Sequence, residues 1–195
     1  YHLELEEPVA VKLMKTPGSH RRLAERLRVE ERAAARLVHP NIVRVFDIAN
    51  SEAGPFIVLE LLAGESLTSR LARGPLRAVQ ALQLLLPIAD ALELAHTHGV
   101  VHRDLKPDNV FLALEGEQLQ PKLLDFGIAK LRYAAARARA ITERGTALGS
   151  PSYMSPEQVR GEDVDPRTDV WSFCVLLYKA LSGRLPFRAR DQNAL

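Results

Sequence analysis

The sequence predicts an α+β protein in two lobes: a small antiparallel β lobe with one helix, then a mainly α-helical lobe. Three observations predict this. Short β-branched runs, "EPVAVKLMK", "NIVRVFDIA" and "PFIVLELL", crowd into about the first third of the chain around a single run of strong helix formers. After "AGESL" the period changes, and long apolar stretches recur at helical spacing. Between those stretches stands one strand pair, "NVFLAL" and "QPKLLDF", joined around "EGEQ". The lobes divide at residues 1–62 and 63–195, and both read as incomplete.

Each element has its own warrant. "EPVAVKLMK" is short and β-branched, as a strand requires. In it Ala10 and Lys12 share one face, while Val9, Val11 and Leu13 take the other. "HRRLAERLRVEERAAARLV" has helix-forming composition and ends at His39-Pro40. The next two strands are separated by a turn at "NSEAGP". From about Arg77 to Thr97, apolar residues recur at Leu82, Leu85, Leu86, Ala89 and Leu92, with Pro87 as a kink and Gly99 as the stop. Residues 128–150 show no period and read as a long loop. "DVWSFCVLLYKALSG" reads as a strongly apolar helix that ends at Gly183.

Bulk properties narrow the function. The chain has 195 residues, 47% of them hydrophobic, enough for a sizeable core. A net charge of +2 lacks the basic stripe of a nucleic-acid binder, so no nucleic-acid partner is expected. Cys174 is the single cysteine, so no internal disulfide can form. Pro87, Asp90 and Glu93 interrupt the longest apolar stretches, so no membrane segment is expected within these residues. A first residue other than Met reads as the middle of a longer protein.

The chemistry centres on "HRDLKPDN", His102–Asn109, a dense polar run between the apolar flanks "GVV" and "VFLAL". With the hairpin turn centred near Glu117, antiparallel pairing sets Asn109 opposite Asp125. An amide oxygen and a carboxylate side by side suit Mg²⁺, a hard cation that prefers oxygen. Asp104 and Lys106, two apart on extended backbone, project together beside them. A carboxylate there accepts a proton from an alcohol, and an ammonium steadies phosphate charge. That combination serves phosphoryl transfer.

"HRDLKPDN" followed by "DFG" at Asp125–Gly127 resembles the catalytic core of the protein kinases, and Lys106-Pro107 resembles the serine/threonine branch. The resemblance runs over nearly the whole chain. Its texture ("HPNIV", "SPEQ") is similar to the eukaryotic-type kinases of bacteria. It implies the bilobal protein-kinase fold, ATP and Mg²⁺ as cofactors, and protein substrates bearing serine or threonine.

Residue by residue, "VAVK" resembles the strand whose Lys12 holds the ATP phosphates, with Ala10 against adenine. Glu30 best matches the family's partner for that lysine, with Glu31 as the alternative. "FIVLELLAGESL" resembles the hinge: Leu59 beside the adenine, the backbone of Glu60 and Leu62 on the base, Ser66 near the ribose, and Phe111 beneath the adenine. The resemblance makes Asp104 the catalytic base and Lys106 the stabiliser of the transferring phosphate. It makes Asn109 and Asp125 the metal ligands, and His102 and Phe126 packing pieces. Asp169 is expected to tie down the loop backbone near His102 and Arg103, because a carboxylate entering an apolar helix must be hydrogen-bonded.

Ser155-Pro156-Glu157 stands where the family usually has Ala-Pro-Glu. Ser150 stands where it usually has threonine, and Cys174 where it usually has glycine. Thr142 and Thr146 are candidate self-phosphorylation sites, with Arg103 the partner for the added phosphate. The family's glycine-rich loop and later helices are absent from these residues, so residues 1–195 alone are expected to fold poorly and show little activity. Two alternatives stay open: a pseudokinase acting as a binding or scaffolding module, and a small-molecule phosphotransferase. The kinase reading implies a cytoplasmic location, in a parent that could be membrane-anchored.

Overall fold

The computed structural model describes residues 6–13, 37–51, 54–116, 118–126 and 151–187. The expected helix over residues 20–38 lies mostly outside them, and Leu37 and Val38, its last residues, have no helical backbone. The 128–150 loop also lies outside them.

Three strands form the first sheet: β1 (Val9–Leu13), β2 (Val45–Ser51) and β3 (Gly54–Glu60), antiparallel in the order β1-β3-β2. The parity read from "VAVKL" holds from Ala10 to Leu13, with Val11 and Leu13 exposed and Ala10 and Lys12 half-buried; Val9, at the strand's start, is half-buried as well. Ala10 pairs with Leu59, and Leu59 in turn with Val45. β2 carries a bulge between Val45 and Asp47.

The second sheet has the order β4-β5-β6, also antiparallel: β4 (Gly64–Ser66), β5 (Val110–Glu115) and β6 (Gln118–Leu123). The short strand at "GES" has no signature in the sequence. Gly64 explains its close approach to β5: its φ is +140°, and a Cβ there would lie 2.1 Å from the Leu112 carbonyl oxygen. The β5–β6 register corrects the expected hairpin. Glu115 pairs with Gln118, so only two residues connect the strands, and Gly116 opens that connection at φ +63°. The turn centre therefore falls between positions 116 and 117. Asn109 stands opposite Leu124, whose N–H donates to the Asn109 carbonyl at 2.9 Å, and Asp125 lies one residue beyond.

Helices α1 (Leu67–Ala72) and α2 (Ala78–Thr97) follow β4; α3 (Pro156–Arg160) and α4 (Pro166–Ser182) close the described chain. α2 continues through Pro87, which leaves the Gln83 carbonyl without its helical donor on an exposed side chain's turn. It stops as expected. Gly99 takes φ +72°, its N–H donates to the His96 carbonyl, and Val100 N–H donates to Ala95. The buried face differs from the expected stripe. Ala81, Leu84, Leu85, Ile88, Ala91, Leu92 and Ala95 are buried, whereas Leu82 and Leu86 are exposed. So many positions are apolar that two faces satisfy helical spacing, and packing against α4 and β6 selects one.

By length and composition α2 is also apolar enough to cross a membrane, contrary to the expectation drawn from its interruptions. Asp90 and Glu93 are too few to change that, and both are exposed opposite the buried face. In this fold the buried face lies at the centre of a core shared with Leu67, Leu105, Leu112, Leu123 and Leu176.

"HPNIV" links the sheets. Ile42 bridges Leu123 in parallel, Val43 N–H donates to the Leu123 carbonyl, and Leu123 N–H donates to Asn41. Asn41 Nδ2 donates to the Pro121 carbonyl at 2.8 Å. This segment sets the first sheet over β6, which leads to Asp125.

Candidate active site

The loop entering β5 is held by hydrogen bonds from side chains of α4 and α3. Asp169, in the first turn of α4, is buried. Its Oδ2 accepts from His102 N–H and its Oδ1 from Arg103 N–H, both at 2.8 Å, as expected from the sequence. A third partner carries no signal in the sequence: His96, from the end of α2, meets Oδ2 at 2.8 Å. Burial works to raise the Asp169 pKa. The His96 hydrogen bond, the nearby His102 and the two backbone N–H groups outweigh it and hold the carboxyl below its ordinary range. Arg103 sits at φ +67°, a left-handed conformation that costs a non-glycine residue on the order of 1 kcal/mol or more.

His102 is fully buried and acts as a brace. Its Nε2 donates to the Leu124 carbonyl at 2.8 Å, and its Nδ1 accepts from Asp104 N–H at 3.2 Å. One tautomer, with the proton on Nε2, satisfies both contacts. The ring meets Phe126 edge-on, with centroids 4.9 Å apart. The backbone of Asp104 and that of Leu124, the residue before Asp125, are thus tied to one imidazole.

Asp104, Lys106 and Asn109 converge. Lys106 Nζ donates to both Asp104 carboxylate oxygens, at 3.1 and 2.9 Å. Asn109 Nδ2 donates to the Asp104 carbonyl at 2.6 Å and to its Oδ2 at 3.2 Å. A short 3₁₀ turn, Pro107–Asn109, makes this possible by bringing the amide back toward residue 104. With its NH₂ committed, Asn109 keeps Oδ1 without a hydrogen-bond donor among the described residues. Asp125, at φ +59°, turns its carboxylate toward the first sheet, where Oδ1 meets Lys12 Nζ at 2.5 Å. Lys12 and Asp125 remain 40% and 30% exposed, open to a ligand. A carboxylate and an amide oxygen are the donor chemistry Mg²⁺ takes, so Asn109 and Asp125 fit the cation.

The expected nucleotide-facing residues are neighbours in register. Ala10 and Leu59 are cross-strand partners, and so are Ser66 and Phe111. Phe111 also pairs with Lys122, which shares its face. Lys122 is buried and donates to both Glu60 carboxylate oxygens at 3.0 Å, so that face of the second sheet looks at the hinge. The Glu60 side chain also accepts Arg44 N–H at 2.8 Å. The Glu60 N–H donates to the Arg44 carbonyl, so any contact of its backbone with a base falls to its carbonyl. Leu62 lies half-buried in the irregular link after β3. Ser66 Oγ caps α1 by accepting Ser69 N–H at 3.1 Å. Sequence reasoning missed the Lys122 strut, because a lysine on a hairpin strand gives no sign of a partner sixty residues away.

Beyond the loop, Ser155 and Gln158 cap α3 reciprocally, a signal present in the Ser-x-x-Gln spacing. Glu157 accepts from Thr168 Oγ1 at 2.6 Å. Burial works to raise its pKa, but this bond and further hydrogen bonds at the α3 N-terminus bring it below the ordinary value. Burial, helped by the Asp108 carboxylate, pushes the Tyr153 phenol up to about 12. Cys174 is exposed. Glu30, Glu31, Gly127, Thr142, Thr146 and Ser150 lie outside the described residues.

Comparison with known proteins agrees with this geometry. The family model described as "Protein kinase domain" matches residues 1–195. The serine/threonine-protein kinase pkn2 of Myxococcus xanthus is 45% identical over 165 residues, 85% of this chain and 20% of that protein. PknL of Mycobacterium tuberculosis, also named a serine/threonine-protein kinase, is 40% identical over 187 residues, 95% of this chain and 45% of that protein. The chain therefore spans less than half the length of these relatives. The crystal structure of the M. tuberculosis PknI kinase domain superposes with a TM-score of 0.76 at 26% identity, covering 98% of this chain and 69% of that one. With this match over its full length, and with the loop, the paired lysine and the hinge in place, the chain belongs to the protein kinase family.

Proposed function

We propose that the protein carrying this chain transfers the γ-phosphoryl group of Mg·ATP to serine or threonine hydroxyls of protein acceptors. One observation supports this most: Asp104, Lys106 and Asn109 share one hydrogen-bonded cluster, and the backbone paired with Asn109 leads directly into Asp125, which meets Lys12 across the cleft. Bound Mg²⁺ would offset the charge of the phosphate oxygens, with Asn109 and Asp125 as its protein ligands. Lys12 would bind the α- and β-phosphates. Ala10, Leu59, the Glu60 and Leu62 backbone, Ser66 and Phe111 would receive the nucleoside.

Asp104 orients the acceptor hydroxyl and takes its proton as the acceptor oxygen bonds to the γ-phosphorus and the bond to ADP breaks. Lys106, 2.9 Å from that carboxylate, stands where its ammonium steadies the phosphoryl group in transit. The names of the curated relatives favour a protein acceptor and the serine/threonine class. Use of ATP puts the domain on the cytoplasmic side, whether or not the parent is anchored.

Self-phosphorylation at Thr142 or Thr146 is part of the same reading. Arg103 supports it: its Nε is buried with no hydrogen-bond partner among the described residues, a donor suited to a phosphate. Incubation of the intact protein with γ-labelled ATP, Mg²⁺ and a serine/threonine protein acceptor tests the proposal. Phosphoserine or phosphothreonine on the acceptor is expected, with label on Thr142 or Thr146. A folded protein that labels no acceptor overturns the function; an active protein with both threonines clean overturns only the self-phosphorylation.

A further inference from the structure

The peptide unit joining Arg103 to Asp104 is held at both ends by side chains. Its N–H, on Asp104, donates to His102 Nδ1 at 3.2 Å. Its carbonyl, on Arg103, accepts from Gln158 Nε2 at 2.7 Å. Gln158 comes from α3, fifty-five positions along the chain, and is 4% exposed. Its amide is not free to flip. Oε1 accepts Ser155 N–H at 3.0 Å, and that backbone group can only donate. The Arg103 carbonyl can only accept, so Nε2 must face it.

This contact falls on strained backbone. Arg103 holds φ +67°, and such a conformation persists only where its surroundings over-determine it. Asp169 fixes the two N–H groups on the near side of Arg103, at His102 and Arg103. The far side, where the chain turns into Asp104, needs a restraint of its own. Gln158 supplies that restraint. It also ties the restraint to the "SPEQ" turn, whose Ser155 and Glu157 are hydrogen-bonded to Thr168 at the start of α4.

Resting on the kinase reading above, we infer that Gln158 is a positioning residue for the base: its amide N–H fixes the 103–104 peptide plane and thereby aims the Asp104 carboxylate. It touches neither substrate nor nucleotide. Its loss therefore lowers the rate of transfer from bound reactants and leaves nucleotide affinity alone. Misplacement of a reacting group by an ångström costs about 100-fold, so a partial loss of aim is worth about 10- to 100-fold in kcat.

Gln158→Glu separates this role from the helix cap. A carboxylate still accepts Ser155 N–H, so the cap survives, but it opposes the Arg103 carbonyl instead of donating to it. Protonation restores a donor, and burial raises a carboxyl's pKa toward the range where this can be followed. In the intact protein, kcat of the variant is expected to fall about 10- to 100-fold with KM for ATP unchanged. Its deficit relative to wild type should narrow as the assay moves from mildly alkaline to mildly acidic pH. Gln158→Met, which adds no charge, should show the kcat loss without the pH-dependent recovery. Melting curves accompany both, and if Gln158→Met does not fold, Gln158→Glu alone decides. A Gln158→Glu enzyme with wild-type kcat at every pH overturns the inference. So does a deficit that is flat with pH and matches a lowered folded fraction, since that is the behaviour of a cap alone. A wild-type protein that transfers no phosphate counts instead against the function on which the inference rests.

Discussion

Asp104→Asn is expected to lower kcat by about 10²–10⁴-fold, the usual worth of a positioned general base, while melting temperature and nucleotide affinity stay at wild-type values. The substitution preserves shape. The Asp104 backbone carbonyl keeps its 2.6 Å bond from Asn109, and its N–H keeps His102. An amide oxygen can still accept from Lys106, which now donates to both carboxylate oxygens. The substitution removes the capacity to take a proton, together with the negative charge beside Lys106 and one of the two acceptor oxygens that Lys106 and Asn109 share. A steady-state transfer assay beside a nucleotide titration and a melt reads all three quantities. An unchanged kcat would mean that another group receives the proton, and would remove Asp104 from the centre of the reaction.

The second large effect concerns stability. Asp169→Ala removes one carboxylate and leaves two N–H groups of the catalytic loop, on His102 and Arg103, together with the His96 ring, without their acceptor. Breaking a buried charged network from one side costs about 3–5 kcal/mol, a large fraction of a domain's stability. Denaturant unfolding should show that loss. Transfer should fall as well, because the Asp169 carboxylate holds the N–H of Arg103, whose backbone is left-handed.

The pH dependence follows from the depressed folded-state pKa of Asp169. A group held below its unfolded value contributes stability that is complete above the unfolded value and is lost as pH falls through the folded one. The gap between wild type and Asp169→Ala should be constant near neutrality and narrow only below the ordinary aspartate range. A gap that closes at neutral pH would show that the carboxylate is not the source of the stabilisation.

Much of this architecture could be read from the chain because local rules and chemistry agreed. The strand at "VAVKL" has the parity that sends Lys12 to the cleft, and Asp169 could enter an apolar helix only with hydrogen bonds to meet it. The remainder depended on choices that local rules leave open. The hairpin register turned on whether Gly116 would take a positive φ, which shortened the connection and moved Asn109 from Asp125 to Leu124. The face of α2 was ambiguous because Leu82 and Leu86 satisfy the same spacing as the residues that are buried. The cap at Ser155-Gln158 is written in the sequence, but the other half of the Gln158 amide reaches a carbonyl far away in the chain. The Lys122–Glu60 strut likewise exists only once both sheets are in place.

A crystal structure of the intact protein with Mg²⁺ and a non-hydrolysable ATP analogue tests the central claim most directly. The account predicts a metal ion bound by Asn109 Oδ1 and an Asp125 carboxylate oxygen at about 2.0–2.1 Å, with Lys12 Nζ on the α- and β-phosphates and Asp104 facing the γ-phosphate. A metal held elsewhere, or a nucleotide seated away from Lys12 and Asp125, would contradict it.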